Sequence, residues 1–264
     1  INSLNHTLIF YINSCYSSHI KKICYIIDYL RMNKKIIKIV ALIPAKKNSR
    51  DIKNKNLKKL KNLSLFEIAI LSAKKSKLID QIYLSSDSEK ILKIGSKLNV
   101  QLIKRRKDLS TYSAPANLVI SDFIENNIPK NNQDYIIVYL QPTSPFRNNA
   151  HIDSAIKYLI SKKLRSVVSV IENKNFFKSL YKKKITLLPF FNNNLITKNR
   201  QNLKKIYSPN GAIYIFYSKD FIKNKKLSFI NSGYYLMNRI DSIDIDDKED
   251  YELAKYLSKK YLKF

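Results

Sequence analysis

Tryptophan is absent from this 264-residue chain, and glycine, cysteine and histidine are nearly so, at three, two and three residues. So few glycines leave no glycine-rich phosphate loop of the P-loop kind. Cys15 and Cys24 show neither metal-ligand spacing nor a paired motif, which argues against a disulfide framework and against a zinc site. With histidine this scarce, any catalysis falls to carboxylates, basic side chains and backbone amides. No apolar run approaches the ~20 residues needed to span a bilayer; the longest, over 7–12 and 36–44, are short and flanked by polar groups. A basic start followed by a small-residue cleavage site is also missing, so the expected location is the cytoplasm, with no membrane partner.

Acids are outnumbered, 20 against 49 lysines and arginines, for a net charge of +29. Such a charge attracts polyanions. The excess lysine, however, comes with abundant asparagine and isoleucine over nearly every segment, as an AT-biased coding sequence would produce. No arginine-rich tract or basic helix with interleaved aromatics stands out, so a nucleic-acid partner is not expected and a triphosphate fits as well.

Residues 1–31 differ from the rest, holding both cysteines, two of the three histidines and many tyrosines. They read as an extension upstream of a natural start at Met32, with a helix over 19–30 as the alternative. From residue 36 apolar runs alternate with helical patterns, which predicts a doubly wound α/β sheet. Strands are expected over 36–43, 81–85, 100–104, 135–141 and 166–171, with helices near 65–75, 88–98, 116–126 and 150–161. The stretch 172–207 breaks this rhythm with asparagine, lysine and aromatics and reads as an arm or insertion. The alternation resumes over 211–217, 234–237 and 242–246 and ends in a helix over 248–260.

In open α/β sheets ligands bind beyond the carboxyl ends of the strands, and three polar segments follow expected strands. The first, Pro44 to Arg50 continuing through Lys55 and Asn56, is dense in cations and small polar residues that can wrap a triphosphate. The second, Leu140-Gln141-Pro142-Thr143-Ser144-Pro145-Phe146-Arg147, has two prolines that impose a fixed path, and reads equally as a cleft edge or a rigid turn. The third is the acidic run 241–247, where an extended backbone puts Asp244 and Asp246 on one face. Two carboxylates so placed suit Mg²⁺; Asp246 or Asp247 as an N-cap of the last helix is the other reading.

In this order and spacing the segments resemble the CMP-sialic acid synthetases (N-acylneuraminate cytidylyltransferases). That family's patterns run Ile-Pro-Ala-Arg-x-x-Ser-Lys ending in Lys-Asn, then Leu-Gln-Pro-Thr-Ser-Pro-Leu-Arg, then Asp-x-Asp. Here they read IPAKKNSR with Lys55-Asn56, LQPTSPFR and DSIDIDD, joined by Pro209-Asn210-Gly211-Ala212-Ile213-Tyr214. The resemblance implies a Rossmann-like, mostly parallel but mixed sheet of the nucleotide-diphospho-sugar transferase type. It makes 32–264 the cytidylyltransferase domain and 172–207 its dimerisation arm. It implies CTP and a nine-carbon 2-keto acid sugar as substrates, a homodimer, and Mg²⁺ on Asp244 and Asp246. Ser49, Arg50, Lys55 and Asn56 would hold the nucleotide, with Lys46, Arg50 and Lys55 as the catalytic cations and Arg105 on the cytosine side. Gln141, Arg200 and Tyr214 would line the sugar pocket with Asn210 nearby, and Lys178 would reach the partner subunit's site. The chain departs from the pattern at Lys46 and Arg50, where the family's arginine and lysine are exchanged, at Ser208, where it often has arginine, and at Thr111-Tyr112-Ser113, where it has Ser-Asp-Thr. Legionaminic, pseudaminic and 3-deoxy-octulosonic acids stand as alternative sugars, and an impaired sugar-nucleotide binder as an alternative role.

Overall fold

The computed structural model describes residues 37–130, 134–227 and 232–262; the expectations for 1–31 lie outside them. Its first strand, β1 (Lys38–Pro44), is apolar after Lys38 and buried along its middle, as a strand covered on both faces must be. A single turn of 3-10 helix (Lys55–Leu57) follows, then the short pair β2 (Lys59–Leu60) and β3 (Leu63–Ser64) and helix α1 (Leu65–Lys74). Ser64 starts α1 with a capping box, its N–H donating to the Glu67 carboxylate at 2.8 Å. Next come β4 (Gln81–Ser86), α2 (Glu89–Gly95), β5 (Gln101–Lys104), α3 (Ala116–Asn127), β6 (Tyr135–Tyr139), α4 (Asn149–Ser161) and β7 (Ser166–Glu172).

After β7 the chain leaves the sheet as a hairpin, β8 (Leu180–Lys183) and β9 (Thr186–Pro189), and a short helix α5 (Asn193–Thr197). It returns as β10 (Tyr207–Tyr217), followed by α6 (Ser218–Asn224), β11 (Gly233–Leu236) and α7 (Lys248–Tyr261). The main sheet has the order β11-β7-β10-β6-β1-β4-β5. β10 is its one reversed strand, antiparallel to β6 and β7, while the other pairings are parallel. The expected α/β architecture and mixed sheet are therefore present.

Alternate residues of β1 supply two cores. Ile39, Ala41 and Ile43 pack with Phe66 and Ile70 of α1 and Ile152 and Ile156 of α4. Val40 and Leu42 face the other way, to Ile120 and Phe123 of α3 and Phe221 of α6. A third cluster joins Ile52, Leu65, Phe146, Ile245 and Ala254. It fastens the acidic segment and α7 against the loop after β1, and burying Ile245 alone contributes about 1.5–3 kcal/mol.

Two expectations differ most from the structure. Residues 242–246 form no strand: the segment is extended but makes a single sheet-like bond, Ile245 N–H to Thr143 O at 2.9 Å, because Ile245 is held by side-chain burial rather than by a ladder. β10 begins four residues early, at Tyr207, and its pairing with β7 shifts between Pro209 and Tyr214. Proline and a glycine at φ 76° there conceal the strand in the sequence. Among the described residues no helix is long and apolar enough to cross a membrane.

Candidate active site

The carboxyl ends of β1 and β6 open into a cleft of about 410 Å³, within the usual range for small-molecule sites. One wall is the loop after β1, from which Lys46, Ser49, Lys55 and Asn56 line the cleft. Asn54 makes this possible by taking a left-handed φ of 56°, which asparagine tolerates better than most residues. The chain then turns abruptly into Lys55 and Asn56. The buried Asn56 side chain donates to Lys46 O at 2.8 Å and so holds the loop closed on itself. Ser86 Oγ anchors the loop's start, donating to Ala45 O at 2.6 Å.

Three cations line the cleft: Lys46, Lys55 and Arg105. Burial lowers the Lys46 ammonium pKa, and the positive charges of Arg105, Lys55 and the exposed Arg50 lower it further, against a smaller opposing pull from Asp87. Arg105 is buried, donates to Ser85 Oγ at 3.1 Å and Ser85 O at 2.8 Å, and has its own pKa lowered by desolvation. Cations crowded like this repel one another until a polyanion joins them.

Opposite stand the acids. Asp244 and Asp246 both line the cleft while Ile245 between them is buried, the alternation an extended backbone produces. Lys55 Nζ ties this segment to the first loop, donating to Ile245 O at 2.8 Å and Asp246 Oδ1 at 3.2 Å. Asp247, not Asp246, caps α7, accepting from Asp250 N at 2.9 Å, so the Asp246 carboxylate is left to the cleft. Burial raises the Asp244 pKa, a bond from Thr143 opposes this, and the neighbouring Asp246 adds to it. On the far side His151 Nε2 lies 3.3 Å from Asp241 and steadies the start of the segment.

The floor comes from β6 and β10. Gln141 and Thr143 line it beside Tyr139, whose buried phenol is pushed up to about 12. Tyr214 stands edge-on to Tyr139, ring centres 6.1 Å apart, rather than in the cleft wall, and burial raises its pKa also. Asn210 is turned inward: its amide bonds Ser169 Oγ at 2.5 Å and Ser242 Oγ at 2.9 Å, so it braces the site from beneath. Gly211 is the tight point, since a Cβ there would lie 2.7 Å from Asp244 Oδ2 and 2.8 Å from Gln141 Oε1.

The structure thus brings Lys46, Ser49, Lys55, Asn56, Arg105, Gln141, Asp244 and Asp246 to one cleft. Arg50 lies exposed at its edge, acting on Lys46 through charge. Lys178, in a 3-10 turn over Phe176–Lys178, and Arg200, at the start of another over Arg200–Asn202, sit on the arm between β7 and β10 instead. Sequence reading missed Tyr139, Gly211 and Arg147. Gly211 could have been found as one of only three glycines.

The model of the family described as Cytidylyltransferase matches residues 40–263. An N-acylneuraminate cytidylyltransferase of Escherichia coli O18:K1:H7 is 31% identical over 225 residues, covering 84% of this chain; the chain spans about half of that protein, 52% of its length. A CMP-N,N'-diacetyllegionaminic acid synthase of Legionella pneumophila is 28% identical over 228 residues, 84% of this chain and 96% of its own. In fold, the chain is similar to a CMP:2-keto-3-deoxy-manno-octonic acid synthetase solved with CTP, with a TM-score of 0.61, 12% identity, and coverage of 84% of this chain and 99% of that one. With its family model matched from β1 to the end of α7, this chain belongs to the cytidylyltransferase family.

Proposed function

We propose that the chain transfers CMP from CTP to the anomeric hydroxyl of a sialic-acid-type 2-keto sugar acid. The hydroxyl oxygen bonds to the α-phosphorus, the bond from that phosphorus to the β-phosphate oxygen breaks, and pyrophosphate and a proton are released. The observation that carries this reading is the convergence of Lys46, Lys55 and Arg105 on one nucleotide-sized cleft facing two carboxylates. A continuous basic stripe, as a nucleic-acid binder would use, is a different arrangement.

Phosphoryl transfer asks mainly for positioning and neutralisation of charge. Lys46 and Arg50 receive the triphosphate, which relieves the repulsion that depresses Lys46. Lys55 bridges the phosphate loop and the acidic segment, keeping the two in register. Ser49 and Asn56 hold the nucleotide, Arg105 holds its base side, and Gln141 orients the sugar, while Tyr214 supports Tyr139 edge-on. Asp244 and Asp246 fit Mg²⁺: Asp244 Oδ1 is buried with no protein hydrogen bond, and Asp246 is exposed beside it on the same face. Mg²⁺ takes one or two carboxylates and fills its other positions with phosphate oxygens and water; when bound it would offset the charge on the phosphates.

The reading includes a homodimer working in the cytoplasm. The β8–β9 hairpin exposes Ile185 fully, at 99%, together with Leu187 and Phe190, apolar surface of the kind that marks interfaces. Lys178, carried on the same arm, would then serve the partner's sugar site. The test is incubation with CTP, Mg²⁺ and a panel of sialic, legionaminic, pseudaminic and 3-deoxy-octulosonic acids, following pyrophosphate. Release with one of them identifies the sugar; CTP binding without release from any would make the chain a sugar-nucleotide binder.

A further inference from the structure

Arg147 ends the 140–147 segment and is the largest fully buried side chain among the described residues, 1% exposed. Its Nη1 donates to Gln141 O at 2.9 Å and to Ala212 O at 3.1 Å, carbonyls from two separate segments, the loop after β6 and the turn within β10. Its backbone is pinned in turn by Ser72 Oγ, which donates to Arg147 O at 2.9 Å. Nε and Nη2 are buried without a hydrogen bond, and so is Asp244 Oδ1. Burial lowers the guanidinium pKa to about 10 and the charge of Asp244 opposes that shift, while the cation that lowers Asp244 itself is Lys55.

We propose that Arg147 is a positioning residue for Asp244, the clamp that ties the loop after β6 to the turn within β10 against which Asp244 packs. The clamp matters because Gly211, next to Ala212, packs so tightly on Asp244 that a Cβ there would lie 2.7 Å from Oδ2. If the turn at 210–212 moves, the wall against which the carboxylate is packed moves with it. Releasing the clamp and trimming the carboxylate packed against it act on one contact, so their costs should not add. The effect on the reaction rests on the CMP-transfer reading; the coupling of clamp and carboxylate does not.

A thermal-unfolding cycle of wild type, Arg147→Met, Asp244→Asn and the double variant, without nucleotide or metal, reads the pair directly. Each single variant should melt lower, and the double variant should lose clearly less than the two losses added. Additive losses overturn the proposal, even if the wild type turns over CTP. In a second measurement, Arg147→Lys keeps the charge but not the two-carbonyl clamp. It should fold and need about 10-fold more Mg²⁺ for half-maximal pyrophosphate release, the order seen when a residue supporting a metal ligand is changed. Wild-type Mg²⁺ dependence in that variant also overturns the proposal, and it decides the matter if Arg147→Met does not fold. A wild type inert with CTP defeats the functional reading instead, and leaves the unfolding cycle to judge the pair.

Discussion

Replacing Gly211 by alanine separates stability from function, because the added methyl meets only the ends of side chains. The backbone there has φ 76°, which an L-residue adopts at a cost of about 1–2 kcal/mol. The methyl would sit 2.7 Å from Asp244 Oδ2 and 2.8 Å from Gln141 Oε1, closer than packing allows, so both side chains must swing away. Neither swing unfolds the protein, since the ends of Asp and Gln rotate cheaply. With each kcal/mol lowering the midpoint by about 2–4 °C in a domain of this size, Gly211→Ala should melt roughly 2–8 °C below wild type. Turnover should fall far more, about 100-fold, the order of loss for a 1 Å misplacement in an active site. Differential scanning calorimetry and pyrophosphate release on the same preparation provide the two numbers. Wild-type turnover with a lowered midpoint would show that the carboxylate does not need its present position, and the account of the cleft floor would fail.

Asp246→Asn should leave the melting temperature nearly unchanged, because Asp247 caps α7, yet lose several kcal/mol of transition-state stabilisation, roughly 100-fold or more in rate; near-normal rates at limiting Mg²⁺ would remove Asp246 from the metal site. Tyr139 holds its proton to about 12 when folded against 10.0 ordinarily, so its stabilisation is complete below pH 10 and is lost as pH rises through that window, about 3 kcal/mol at ~1.4 kcal/mol per pH unit. Urea unfolding of Tyr139→Phe should therefore decline less than wild type from pH 10 to 12, and equal slopes would refute the assignment. Mixing Lys178→Ala chains with Asp246→Asn chains should restore part of the activity if the arm serves the partner, since one site of each heterodimer then carries neither defect; verified heterodimers without recovery would mean that each site is built within one chain.

What was legible in the sequence follows the physics of each signal. β1 and β6 announced themselves as continuous apolar runs because both their faces are covered, and the capped helices between them followed the 3.6-residue period. The pairing of Asp244 with Asp246 was legible because an extended backbone has period two whether or not it joins a sheet. The early start of β10 was hidden by Pro209 and Gly211, which read as a turn. Arg147 could not be placed because its partners are two backbone carbonyls, and a carbonyl leaves no mark on the side-chain pattern. The resemblance puts Asn210 near the sugar pocket, and its amide is bonded to Ser169 and Ser242, a matter of tertiary packing that no local spacing records.

The arm leaves the sheet and returns to it at one point. Glu172 and Tyr207 face each other as the last rung between β7 and β10, and Asn173 N–H donates to Ile206 O at 2.8 Å just beyond them. For the sheet, everything from 173 to 206 is therefore a single hairpin loop whose length leaves the pairing of every strand untouched. Loop closure grows only logarithmically, about 0.6 kcal/mol for each doubling of length. The arm can accordingly be lengthened, shortened or exchanged as a cassette, giving evolution or an engineer a way to change what the protein assembles with while the nucleotide cleft stays as it is.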